Sequence, residues 1–131
     1  MDRFKFRVWD KANNRYVDTF SDAYNRIWRY YIDQNGDLIG VEEDNVDRVK
    51  DKDNFIIEQC TGLKDKNGTL IFEGDVVKCY DMENGTVVFK NGCFVWDWEF
   101  NDPPIYNFDN MELEIIGNIH EGNRTNKTDK Y

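Results

Sequence analysis

One histidine, His120, and three cysteines, Cys60, Cys79 and Cys93, are what this chain offers for acid–base or nucleophilic catalysis near neutral pH. A Ser-His-Asp triad or a Cys–His dyad therefore has a single candidate base. His120 follows the last strand pattern at the start of a polar tail and reads as a solvated surface histidine. The cysteines lie far apart, with no C-x-x-C spacing and no basic cluster or helix N-terminus beside them, and read as small core residues kept reduced. Two carboxylate pairs, Glu73 with Asp75 and Glu112 with Glu114, sit two residues apart on strand patterns, so each pair shares a face. Two acids on one face are ordinarily its wet side, and a catalytic pair needs a larger cleft than a domain of this size builds. No catalytic residue is assigned, and the expectation is that the protein is not an enzyme.

Metal and phosphate chemistry fare no better. Asp33, Asn35, Gly36, Asp37 and Glu42 fall at positions of a calcium loop, but Tyr31 would occupy the first ligand position, and a hairpin turn is the stronger reading. One histidine and scattered cysteines make no zinc ligand set. There is no G-x-G-x-x-G and no Walker lysine, so no cofactor is expected.

Two constellations suit binding. Trp96, Trp98 and Phe100, spaced by two with Asp97 and Glu99 between them, form an aromatic row suited first to the core and second to a protein interface. Stacking of bases ranks third, because residues 95–114 contain no Lys or Arg. Arg3, Lys5 and Arg7 alternate along the opening segment and make a small basic patch.

These residues must be positioned by strands. Arg3 to Trp9 alternates, with Phe4, Phe6 and Val8 on one side and the basic residues on the other, the period-2 pattern of a half-buried strand. Asp10 to Asn14 supplies a turn, and Arg15 to Val17 returns as a second strand. Phe20, Tyr24, Ile27, Trp28 and Tyr31 fall at helical spacing behind a Ser21 cap, yet are β-prone; the reading is a short irregular or helical turn at 20–25, then a strand. Asn35-Gly36 joins Ile27–Ile32 to Leu38–Val41 in a further hairpin. Residues 42–54, almost all charged or amide, read as a loop or a single exposed helical turn.

From Ile57 to Phe94 the pairs Asn67-Gly68, Asn84-Gly85 and Asn91-Gly92 separate short runs rich in Val, Ile, Phe, Thr and Cys. Each pair is expected to supply the positive φ angles of a tight hairpin turn, giving a β-meander. Asn101-Asp102-Pro103-Pro104 breaks the pattern, Met111 to Ile119 alternates again as a closing strand, and residues 121–131 form a flexible polar tail. The expected fold is mainly β with little helix. Residues 1–120 make one domain, an N-terminal hairpin layer over about 1–54 and a meander over about 55–120 that closes into a small SH3-like or open β-barrel.

Composition bounds the partners. A chain of 131 residues with 40% hydrophobic and 15% aromatic residues can bury a core without disulfides or metals. No segment has the 18 consecutive apolar residues of a membrane span, and the opening residues lack a secretory h-region. The net charge of −9 argues against coating DNA through its phosphates. Charge is uneven, however: residues 1–16 carry five basic against two acidic side chains, while residues 95–114 are acidic throughout.

Three blocks carry a resemblance. Phe4-Lys5-Phe6-Arg7-Val8-Trp9-Asp10, then Thr61-Gly62-Leu63-Lys64-Asp65-Lys66-Asn67-Gly68 with Ile71-Phe72-Glu73-Gly74-Asp75-Val76-Val77, then Glu114-Ile115-Ile116-Gly117-Asn118-Ile119, resemble in order the YopX family of phage and prophage proteins. Val17–Asn54 and Phe100–Met111 carry no signature, and Cys60 stands where the family commonly has an aromatic residue. The resemblance implies a small, mostly β, phage-encoded protein of the bacterial host cytoplasm, and it implies no reaction. The expected function is that of a non-enzymatic accessory protein acting through protein–protein contacts, with a host protein or as a homo-oligomer, and with no membrane partner. The alternative is a small nucleic-acid-binding module using the SH3-like barrel and the basic opening strand.

Overall fold

The computed structural model describes residues 4–17, 28–42, 45–48, 52–80, 84–98, 101–108 and 112–121. Among them there are eleven strands and no α-helix, in three sheets, one curled into a half-barrel. The mainly β expectation holds. The chain divides into two compact units, one of residues 8–57 and the other of residues 1–7 with 58–131, so the boundary runs through the first and sixth strands.

In the unit of residues 8–57, β1 (Phe6–Asp10) turns at Lys11–Asn14 and pairs with β2 (Arg15–Tyr16), Trp9 opposite Tyr16. Asn14 takes the left-handed conformation the turn requires (φ 53°), and the Trp9 and Tyr16 rings meet edge to face at 4.9 Å. The alternation expected along β1 is overridden. Val8, Trp9 and Asp10 are all buried in succession, while Phe4, expected on the core side, is 63% exposed.

A second sheet in this unit orders β3 (Trp28–Ile32), β4 (Leu38–Glu42) and β5 (Asn45–Arg48). The β3–β4 hairpin matches expectation, and the Oδ1 of Asp33 accepts the amides of Asn35 and Asp37, which makes this segment a turn. Strand β5 corrects the expectation of a loop or a single exposed helical turn over 42–54, although Lys52–Asn54 does form a single 3-10 turn. Its polar sequence hides a strand because an edge strand gains backbone hydrogen bonds whatever its side chains are. The proposed turn at 20–25 lies outside the described residues.

In the other unit, β6 (Phe55–Lys64) runs against β7 (Leu70–Phe72), and β8 (Asp75–Cys79), β9 (Gly85–Lys90), β10 (Cys93–Asp97) and β11 (Leu113–Asn118) form a sheet in the order β10-β9-β8-β11. The three Asn-Gly pairs part company here. Asn91 and Gly92 both take positive φ and close the β9–β10 hairpin, and Gly68 does so alone in a turn held by Asp65, whose Oδ1 accepts the amides of Asn67 and Thr69. Gly85 is not a turn glycine. It opens β9, and a Cβ there would collide with the Trp96 indole, so its role is close packing.

Ile71, Val77, Cys79, Val87, Trp96, Ile105 and Leu113 make the core of this unit. Trp96 is completely buried, donates its indole N–H to the Val77 carbonyl at 3.1 Å, and packs edge to face on Phe108 at 4.9 Å. A buried Trp of this kind is worth about 3–5 kcal/mol when truncated. Past the breaker, the chain returns to β10: the Trp96 amide donates to the Pro103 carbonyl, and Ile105–Phe108 forms a 3-10 turn.

Candidate functional site

Four ionisable side chains converge in the unit that contains the half of β6 from Glu58 onward. Arg7 comes from β1, Glu58 from β6, Asp75 from the first position of β8, and His120 from the turn after β11. Their backbones are brought together by Gly74, whose φ of +91° only glycine adopts easily and whose missing Cβ leaves the space that the Glu58 carboxylate occupies. The Gly74 carbonyl also accepts the Ile119 amide at 2.8 Å, which anchors the residue before His120. Asn118 then caps the turn, its Oδ1 accepting the amides of His120 and Glu121.

Arg7 is the hub. Its Nε donates to Glu58 Oε1 at 2.7 Å, and its terminal nitrogen donates to Asp75 Oδ1 at 2.8 Å and to the Glu73 carbonyl at 3.3 Å. The guanidinium carbon lies 4.9 Å from the centre of the Phe72 ring. The second oxygen of Glu58 meets His120 Nε2 at 2.8 Å, and the second oxygen of Asp75 accepts the Phe72 amide at 2.8 Å. The side chains of Glu58 and Asp75 are 3% exposed and that of His120 is 9% exposed. Burial pushes the Asp75 carboxyl above the usual aspartate value, against the opposing pull of the Arg7 charge and the Phe72 and Arg7 hydrogen bonds; the Glu58 charge adds to the rise. Chemically this is a buried ion network in which one guanidinium bridges two carboxylates and the histidine meets the second oxygen of Glu58.

Two expectations change as a result. His120 is a buried partner of Glu58, not a solvated surface histidine, because the bulge between Ile115 and Gly117 and the Asn118 turn fold the end of β11 inward. Asp75 is likewise buried where a wet face was expected, since it lies on the inner side of the β7–β8 turn. Glu112 and Glu114, the second acidic pair, do lie at the surface, beside Lys66, Lys78 and Tyr80.

Of the basic patch, Lys5 is exposed, Arg7 belongs to the network, and Arg3 lies outside the described residues. Of the aromatic row, Trp96 is in the core, Trp98 packs against it at 6.0 Å between ring centres, and Phe100 lies outside the described residues. Cys60 and Cys79 are buried, as their type suggested, and Cys93 is half-buried; burial pushes the Cys79 thiol up, away from thiolate reactivity. Among the described residues no group of three or more His, Cys, Asp or Glu side chains is placed to hold a metal ion. Sequence reasoning missed the network because its bonded side-chain pairs are 51 to 68 residues apart. Its one local trace is a charged Glu58 inside the long β-prone run that begins at Phe55.

The fold is similar to that in the crystal structure of protein EF1440 from Enterococcus faecalis, with a TM-score of 0.55 and 24% identity over 92% of this chain and 96% of that one. A search of curated proteins finds no match. The family model described as YopX protein matches residues 5–124, nearly the whole length, and the chain therefore belongs to the YopX family.

Proposed function

We propose that this YopX-family chain is a non-enzymatic, phage-encoded accessory protein of the host cytoplasm that acts through protein–protein contacts, with self-association as one form. One observation carries the reading: Arg7 is committed to Glu58 and Asp75, whose carboxylates are almost shut off from solvent. That leaves the Glu58 and Asp75 carboxylates closed to a substrate and the Arg7 guanidinium engaged by them rather than offered to a phosphate. The net charge of −9 supports the same choice, since a strongly acidic surface repels nucleic acid and steers basic protein surfaces inward.

The test is affinity capture of the tagged chain from bacterial lysate with and without nuclease, read by mass spectrometry, beside sedimentation of the purified chain. A retained protein partner or a defined oligomer is the expected result. Recovery abolished by nuclease, with oligonucleotide binding whose log-log salt slope is about −3 or −4, would replace this reading by the nucleic-acid module.

A further inference from the structure

Asparagine followed by glycine occurs four times, at residues 35–36, 67–68, 84–85 and 91–92. Each pair holds a latent reaction, because a glycine amide nitrogen, with no side chain to shield it, can attack the side-chain carbonyl carbon of the preceding asparagine and close a succinimide ring. Their surroundings set the four apart. Gly85 is buried in β9 against the Trp96 indole and has no room to turn. The space beside Gly36, Gly68 and Gly92 is open, so hydrogen bonding decides among them. The Gly36 amide donates to the Asp33 carbonyl at 2.9 Å, and the Gly68 amide donates to the Asp65 carbonyl at 3.0 Å. In both turns the aspartate Oδ1 also accepts the amides of the asparagine and of the residue after the glycine, which pins the segment. Asn91-Gly92 has no such brace. Both residues are exposed, both hold positive φ (53° and 85°), and the Gly92 amide donates to no group among the described residues.

We infer that Asn91 is a spontaneous modification site, at which the free Gly92 amide nitrogen attacks Asn91 Cγ and the residue becomes aspartate or isoaspartate. The bond from the Gly92 nitrogen to Cγ forms as the bond from Cγ to Nδ2 breaks, and ammonia leaves with the Gly92 amide proton. Solvent water then opens the ring. Cleavage at Cγ gives aspartate, and cleavage at the Asn91 main-chain carbonyl gives isoaspartate, with the backbone rerouted through the side chain. The attack requires the turn to leave its left-handed conformation, and an exposed tip with two residues outside the β9–β10 ladder opens at little cost. The product adds a negative charge to a chain already at −9. In the isoaspartate form it also lengthens the main chain inside the turn that sets the Lys90–Cys93 register.

The experiment ages the full folded chain in mildly alkaline buffer beside the same chain in urea. Mass spectrometry then scores each Asn-Gly peptide for aspartate and isoaspartate, with isotopically heavy water marking any conversion during digestion. In the folded chain Asn91 is expected to convert about tenfold faster than Asn35, Asn67 or Asn84, the factor that giving up one hydrogen bond costs in rate. In urea all four are expected to convert at similar rates. Folded-state conversion of Asn35 or Asn67 as fast as that of Asn91, conversion of Asn91 only in urea, or the same ranking kept in urea overturns the assignment. Gly92→Ala tests the route, because its methyl shields the attacking nitrogen: slower conversion at Asn91 supports the ring, and undiminished conversion overturns it. Isoaspartate among the wild-type products supports the ring as well, whereas aspartate alone means direct hydrolysis of the side chain and overturns it. No partner enters the reaction, so its outcome is independent of the protein-contact reading.

Discussion

Asp10 and Asp75 are both buried aspartates, one in each unit of the chain, and their surroundings push them in opposite directions. Burial of Asp10 raises its carboxyl, but neutral donors outweigh that: Asn13 Nδ2 and Asn54 Nδ2 each donate at 2.7 Å, backbone amides add to them, and the carboxyl is held below its usual range. Asp75 has a full positive charge beside it and still ends above that range, because Arg7 is shared with Glu58 and the site is more enclosed. The difference teaches that a set of directed amide donors can serve one buried carboxylate better than half a guanidinium. It also separates what each site costs to break. Loss of a neutral donor removes a hydrogen bond, whereas loss of Arg7 strands two buried charges.

The largest expected effect is therefore Arg7→Leu, at about 3–5 kcal/mol of stability in urea unfolding, with Arg7→Lys recovering only part because a point charge cannot bridge both acids. A cost no greater than that of removing an amide donor at Asp10 would break the comparison. Gly74→Ala comes next, at about 2–3 kcal/mol, since the new methyl collides with the Glu58 carboxylate and the backbone conformation becomes strained. Asn54→Ala, which removes donors and acceptors around Asp10 and the Ala12 amide, is expected to cost about 1–2 kcal/mol and to raise the Asp10 titration toward its usual value, followed by carboxyl NMR.

The pH dependence sharpens the contrast. Asp10 titrates below the ordinary 3.8 when folded, so its contribution is full above that value and is lost as pH falls through the folded value. Asp75 titrates above 3.8 when folded, so the folded state holds its proton more tightly and stability declines as pH rises from 3.8 through the folded value. Asp10→Asn should flatten the acid limb of a stability–pH profile, and Asp75→Asn should remove the decline just above 3.8; equal profiles for the two variants would count against the assignment. The smallest effect is expected at the exposed Lys66–Glu114 pair, where Lys66→Ala should change stability by less than about 0.5 kcal/mol.

Much of the fold was legible in residue order. The β1–β2 and β3–β4 hairpins and the closing strand follow from side-chain alternation and from Asn and Gly at turns, which act over two to six residues. Asn91-Gly92 and Gly85 show the limit of that legibility. The same dipeptide is a turn in one place and a packing contact in the other, because only the arrival of Trp96 against β9 decides which. Strand β5 shows it again, since an edge strand can be held by backbone pairing without an apolar signature.

The sequence by itself determined a mainly β chain, its principal turns, its acidic charge and the burial of Cys60 and Cys79, all set by local geometry or by the nature of single side chains. Only the tertiary structure decided which charges go inside. Arg7, Glu58, Asp75 and His120 look like ordinary surface residues in their own segments, and a buried charge is tolerable only when its partners are present, which long-range folding alone can supply.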